Sequence, residues 1–147
     1  WASHYHSQED YQRIFYLMDK TMKQLHDHNY YITNFNPDEI TFSHQGNQIS
    51  FVEYKQQTTF DNQKEQEIDQ NIYNLSFLAV GIYSETLPYL TPQFLKENFQ
   101  QFKMFLPEED ITYYQSVLTR NNYIYYSDFK QFVSDGKLQV NHQNLFH

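Results

Sequence analysis

Cysteine is absent from the 147 residues. That excludes a disulfide framework, a thiolate zinc site and a cysteine nucleophile. Glycine is scarce: Gly46, Gly81 and Gly136 stand far apart, and no glycine elbow surrounds any serine, so a Ser-His-Asp hydrolase has no support. Positive charge is also thin. The 10 Lys and Arg are scattered against 18 Asp and Glu, for a formal net charge of −8. Phosphate binding rests on clustered cations, so no nucleic-acid partner is expected. No apolar run approaches the ~20 residues of a membrane span, and none is expected. The chain begins at Trp1, so a segment upstream of it, with any targeting signal, is expected to be missing. The expected compartment is the cytoplasm.

Aromatics are plentiful instead, at 19% of residues, with 14 Tyr and 13 Phe. The core must be built largely from them, and a buried Tyr needs a hydrogen-bond partner, so the rings are expected inside with their hydroxyls at the surface. Asn and Gln are abundant, but they are spread through periodic apolar sequence and mark no low-complexity segment. A domain of this size buries roughly 70% of the surface its unfolded chain exposes. One domain is expected over 1–136, with a loose tail at 137–147.

Ser7 and Asp10 have the spacing of a capping box, and Tyr11, Ile14, Phe15, Met18, Met22 and Leu25 then recur at helical period until Asn29. Two β-favouring runs, Glu39–Phe42 and Gln48–Val52, are joined through Gly46 as a hairpin. Gln56–Gln70 is polar and reads as a loop or the approach to a helix. Ile72–Tyr83 is apolar nearly throughout, which predicts a helix buried on all sides, the spine of the domain. Thr91-Pro92 starts another helix, with Phe94, Leu95, Phe99, Phe102, Phe105 and Leu106 inward. Pro107 opens the next, where Glu108, Glu109 and Asp110 complement the helix dipole, and it runs to about Thr119. Asn121-Asn122 turns the chain into a last helix, Ser127–Ser134, closed by Gly136.

Leu25-His26 at the end of the long helix, and the segment Ile32-Thr33-Asn34-Phe35-Asn36-Pro37-Asp38-Glu39 that begins six residues after His26, bear a resemblance. They resemble the Leu-His pair and the catalytic loop His-Arg-Asp-Leu-Lys-Pro-Glu-Asn of the protein kinase fold. Glu53-Tyr54-Lys55 stands where that family has Asp-Phe-Gly. Asn71-Ile72-Tyr73-Asn74-Leu75-Ser76 resembles the start of its central helix, and Leu118, Asn121, Asn122, Tyr125 and Ser127 follow the spacing of Leu-x-x-Asp-Pro-x-x-Arg-x-Ser. The resemblance implies a mainly α fold with one small β-hairpin: a kinase C-lobe-like helical domain lacking the N-terminal lobe.

The departures imply lost chemistry. Phosphoryl transfer in that family needs a carboxylate at the substrate hydroxyl, a Lys near the phosphates and two metal ligands. The resemblance puts Asn34 at the base, Asn36 at the Lys, Glu39 at the Asn ligand and Glu53 at the Asp ligand. Losing the base alone forfeits on the order of 10²–10⁴ in rate. Tyr125 replaces the Arg of a buried ion pair, and the stretch between Lys55 and Asn71 is too short for the usual activation loop and its Glu. Losing one partner of such a pair costs about 3–5 kcal/mol, and here both are gone together. No enzyme activity and no cofactor is expected.

Two metal readings are weighed against bland ones. Glu39 and Glu53 facing each other across the hairpin have the chemistry for Mg²⁺ or Ca²⁺; two solvated carboxylates near a turn is the plainer reading. His4, His6, His26 and His28 lack the carboxylate or cysteine pattern of a zinc site. No metal is expected.

The implied function is a catalytically inactive pseudokinase-like domain serving as a protein-interaction or structural subunit of a larger assembly. Without the N-terminal lobe, Tyr30, Tyr31, Phe35, Phe51 and Tyr54 are expected to form a partly uncovered aromatic surface on the hairpin face. A protein partner, or the missing lobe, is expected to cover it. The alternatives are a residual nucleotide- and Mg-binding kinase-like protein, or an unrelated all-helical adaptor.

Overall fold

A computed structural model describes residues 7–42, 49–51, 53–57 and 61–136, without the side chains of 39, 41, 42, 61 and 62. The expected tail at 137–147, and His4 and His6, lie outside the described residues.

Helix α1 (Gln8–Asp27) starts as its sequence dictates. The Ser7 hydroxyl accepts the Asp10 N–H at 3.1 Å and the Asp10 carboxylate accepts the Ser7 N–H at 3.3 Å. Ile14, Phe15, Met18 and Met22 are buried along one stripe. Asn29 takes a left-handed φ of 64°, a conformation Asn tolerates, and turns the chain out of the helix.

The expected hairpin is present as β2 (Ile40–Phe42) and β3 (Ile49–Phe51), antiparallel with Ile40 opposite Phe51; its connection, including Gly46, lies outside the described residues. A second antiparallel ribbon, absent from the sequence reading, pairs β1 (Tyr30–Ile32) with β4 (Tyr54–Gln56). The pairing extends to a Thr33 N–H bonded to the Glu53 carbonyl at 3.1 Å. Neither strand alternates: Tyr54–Gln56 is exposed throughout and Tyr30 and Tyr31 are both half-buried, so no period of two marks them in the sequence.

Helix α2 runs over 24 residues, Asp61–Ser84. The described polar residues from 61 to 70, expected as a loop or helix approach, form its first turns. Gln, Lys and Glu are good helix formers, and polarity there decides exposure, not backbone conformation. Ile72, Leu75, Leu78, Ala79 and Val80 are buried, while Tyr73, Phe77, Ile82 and Tyr83 are only partly covered. The helix is central, packing on α1, β1 and α5, but it is not enclosed on every side. After it the chain doubles back through Glu85 at φ 59°, and the Thr86 N–H bonds the Gly81 carbonyl at 3.0 Å. A Cβ on Gly81 would lie 2.6 Å from Leu87 Cδ1, so glycine permits this close return.

The helix expected from Thr91 is broken into α3 (Pro92–Glu97), α4 (Phe99–Phe102) and a 3₁₀ turn at Lys103–Phe105. Thr91 caps α3 by accepting the Phe94 N–H. Leu95, Phe99, Phe102 and Leu106, at alternating steps of four and three, are buried. Phe94 and Phe105 fall off that stripe and are 50% and 42% exposed, against the expectation that both point inward. A 3₁₀ turn at Glu108–Asp110 leads into α5 (Ile111–Arg120), and Asn121 at φ 55° ends it. Helix α6 (Tyr126–Ser134) is followed by Gly136 at φ 73°, a left-handed position suited to glycine.

The tyrosine core differs from expectation in where the hydroxyls go. Tyr113, Tyr114 and Tyr126 are buried and pack ring to ring. The Tyr113 O–H donates to the Ile124 carbonyl at 2.8 Å, and the Tyr126 O–H to Asp110 at 2.6 Å. Internal acceptors replace water. Among the described residues, no helix is long and apolar enough to cross a membrane.

Candidate functional site

Residues 33–37 form a loop held by their own side chains. The Asn34 side-chain oxygen accepts the Asn36 N–H at 2.8 Å, and the Asn36 side-chain oxygen accepts the Asp38 N–H at 3.0 Å. These are successive Asx turns, and they shape the backbone ahead of Pro37. Across from the loop, Asn74, Phe77 and Leu78 of α2, with Leu87, complete an open cleft of about 390 Å³. Every described residue lining it is uncharged. Such a cleft offers amide hydrogen bonds and apolar contact, and among its described lining residues no general base.

The loop is anchored from below by Asn71. Its Oδ1 accepts the Ile32 N–H at 2.8 Å, and its Nδ2 donates to the Ile32 carbonyl at 2.9 Å. The same Oδ1 lies 2.8 Å from His26 Nε2, and His26 Nδ1 lies 2.7 Å from the Tyr125 hydroxyl. One buried imidazole therefore links α1, α2, β1 and the segment entering α6. Burial lowers the His26 pKa, against the Asn71 hydrogen bond and Asp27; Lys64 lowers it further.

Tyr125 meets the buried imidazole from the segment entering α6 through its neutral hydroxyl. Asn34 and Asn36 stand in the loop that Asn71 supports. The two acidic positions are less informative: Glu53 is exposed between β3 and β4, and the side chain of Glu39 lies outside the described residues. Among the described residues, no group of three His, Cys, Asp or Glu is placed to hold a metal. Both ring nitrogens of His26 are engaged, and His28 Nδ1 bonds the Gln24 carbonyl at 2.8 Å.

The five aromatics expected on one surface divide. Phe51 is buried at 4% exposure, a correction explained by strand alternation: Ile49 and Phe51 point inward and Ser50 outward. Phe35 is half-buried and meets Phe51 edge to face at 5.8 Å. Tyr31 is half-buried. Tyr30 and the exposed Tyr54 meet edge to face at 5.6 Å and border a separate groove with Thr21, Gln24, Leu25 and His28.

Two buried carboxylates were missed from the sequence. Asp19 accepts the Tyr126 and Ser127 N–H groups, each at 2.9 Å, and so caps α6 from 107 residues away. Burial pushes its pKa up to about 6 against the pull of those amides. The sequence signal was a charge within the apolar stripe of α1, beside Met18 and one turn after Phe15. Asp110, expected only to complement a helix dipole, is fully buried and takes hydrogen bonds from Tyr126, Gln12 and Lys130.

No family model, curated protein or solved structure matches this chain.

Proposed function

We propose that this chain is a catalytically inactive, kinase-like helical domain that works by binding other proteins. The observation that carries the reading is the uncharged cleft at residues 33–37. At Asn34 and Asn36, where the resemblance calls for a carboxylate and an ammonium, the side-chain oxygens are spent on local turns. The Asn71 contact to Ile32 adds support, because it joins the two segments on which the resemblance most depends. An amide-lined, partly apolar cleft suits a peptide or protein surface better than a polyanionic nucleotide, whose phosphates need cations.

The test has two arms. Titration with Mg-ATP to millimolar concentration should leave the melting temperature unchanged, and a rise would favour the nucleotide-binding alternative. A photo-crosslinking residue at Phe35 should trap one defined protein in the native host, while the same probe at Arg120 should not. Equal trapping at both positions would remove the interaction reading.

A further inference from the structure

We propose that, given the protein-binding reading of the cleft at residues 33–37 on which this rests, its occupant is a proline-rich segment of a partner held in the extended polyproline conformation.

The hydrogen bonds around the cleft point that way. Asn34 and Asn36 each accept a backbone N–H, at 2.8 and 3.0 Å, and in a carboxamide only the oxygen can accept. On the opposite wall, Asn74 Oδ1 accepts the Gln70 side-chain N–H at 2.8 Å. The carboxamide oxygens of the lining are therefore already engaged, and among its side chains only the Thr33 hydroxyl offers an oxygen not yet bonded. The Nδ2 groups of Asn36 and Asn74 bond nothing among the described residues, so both keep N–H donors to offer. A ligand that fits them brings carbonyl oxygens.

The rest of the lining is apolar. Phe35 is braced edge to face on Phe51, and Phe77 stacks on Tyr73 at 6.2 Å, so both rings are held in place before any ligand arrives. A phosphate or carboxylate would find no cation among the described lining residues, and a charge left unpaired there is costly. A glycan has apolar faces, but it also carries many hydroxyl donors, and the carboxamide oxygens that would receive them are engaged. An ordinary extended peptide presents an N–H for every carbonyl. Proline keeps the carbonyl, lacks the N–H and adds an apolar ring. A run of prolines is also extended before it binds, with little conformational freedom left to lose.

The experiment is NMR titration of the full chain with acetyl-decaproline-amide, which carries no charge. Saturable shifts are expected at the Asn36 and Asn74 side-chain NH2 signals and at the Phe35 and Phe77 rings, with the Tyr30–Tyr54 groove unmoved. Asn36→Asp keeps an oxygen for the Asp38 N–H and removes the donor, so decaproline should bind about tenfold more weakly. Asn74→Asp makes the same exchange on the opposite wall, and decides alone if the first variant loses its melting transition. A Gly-Ser peptide of equal length and maltoheptaose should each bind roughly tenfold more weakly than decaproline, or not at all. No saturable shift with decaproline, equal binding of either comparison ligand, or full affinity in the Asp variants would each overturn the inference. If decaproline fails while a probe at Phe35 still traps one defined protein, the interaction reading stands and only its proline chemistry falls; if the trap fails as well, both fall.

Discussion

Asn71 and Ile32, 39 residues apart, bind each other as completely as two peptide groups can: the side-chain amide takes the Ile32 N–H at 2.8 Å and meets its carbonyl at 2.9 Å. All of these atoms are buried, and the same Asn71 oxygen serves His26. One side chain thus sets the position of β1, the orientation of an imidazole and the start of the cleft-forming loop.

Removing that side chain should be expensive. Asn71→Ala leaves a buried N–H, a buried carbonyl and a ring nitrogen without partners, at a cost of about 2–4 kcal/mol. Urea denaturation should show the loss at unchanged m-value. Asn71→Asp should raise the His26 pKa, because a carboxylate on Nε2 favours the imidazolium, and ring NMR would show it.

Acidity should act on His26 and Asp19 with opposite signs. The folded pKa of His26 lies below the ordinary imidazole value of 6.5, so its contribution is whole above pH 6.5 and is lost as pH falls from there toward the folded pKa. The folded pKa of Asp19, about 6, lies above the ordinary carboxylate value of 3.8, so its contribution is whole below 3.8 and is lost as pH rises through about 6. Denaturation midpoints for His26→Gln should therefore lose the decline below pH 6.5, and those for Asp19→Asn should lose the opposing slope.

Asp110 should matter more than any surface acid. Asp110→Ala removes a fully buried carboxylate and strands the Tyr126 hydroxyl and the Lys130 ammonium. The expected loss is about 3 kcal/mol, read from the shift in the urea midpoint. Glu97→Ala, at an exposed position, should stay within about 0.5 kcal/mol.

Gly81→Val tests the close return of the chain. Even a Cβ there would meet Leu87 at 2.6 Å, and a branched side chain must push that residue out. A loss of about 1–3 kcal/mol is expected in thermal melts.

Much of the fold was legible because local signals agreed with tertiary need. The Ser7 capping box, the Ile14–Met22 stripe, the β2–β3 hairpin and the Thr91-Pro92 start all occupy the places their patterns indicate. The start of α2 was legible only as a loop or the approach to a helix, because polar sequence carries no apolar period to decide between them. Phe94 and Phe105 were placed inward because an aromatic invites burial wherever it sits, whereas position on the stripe decides it. The candidate site was legible in parts only. Asn34 and Asn36 stand in one loop, but Phe51 left the expected surface, and the His26–Asn71–Tyr125 hub had no signature in any single segment.

By itself the sequence determined the starts of α1 and α3, the turn out of α1 at Asn29, the Ile14–Met22 stripe and the absence of cysteine, clustered cation and a long apolar run, since each rests on neighbours within a few residues. Tertiary structure alone decided the partners of the buried polar groups: Asp19 with the Tyr126 and Ser127 amides, Asp110 with Tyr126 and Lys130, Asn71 with Ile32 and His26. The physical reason is that a hydrogen bond depends on distance and direction to within a few tenths of an ångström. Between residues that far apart in the chain, only the packed molecule sets those quantities.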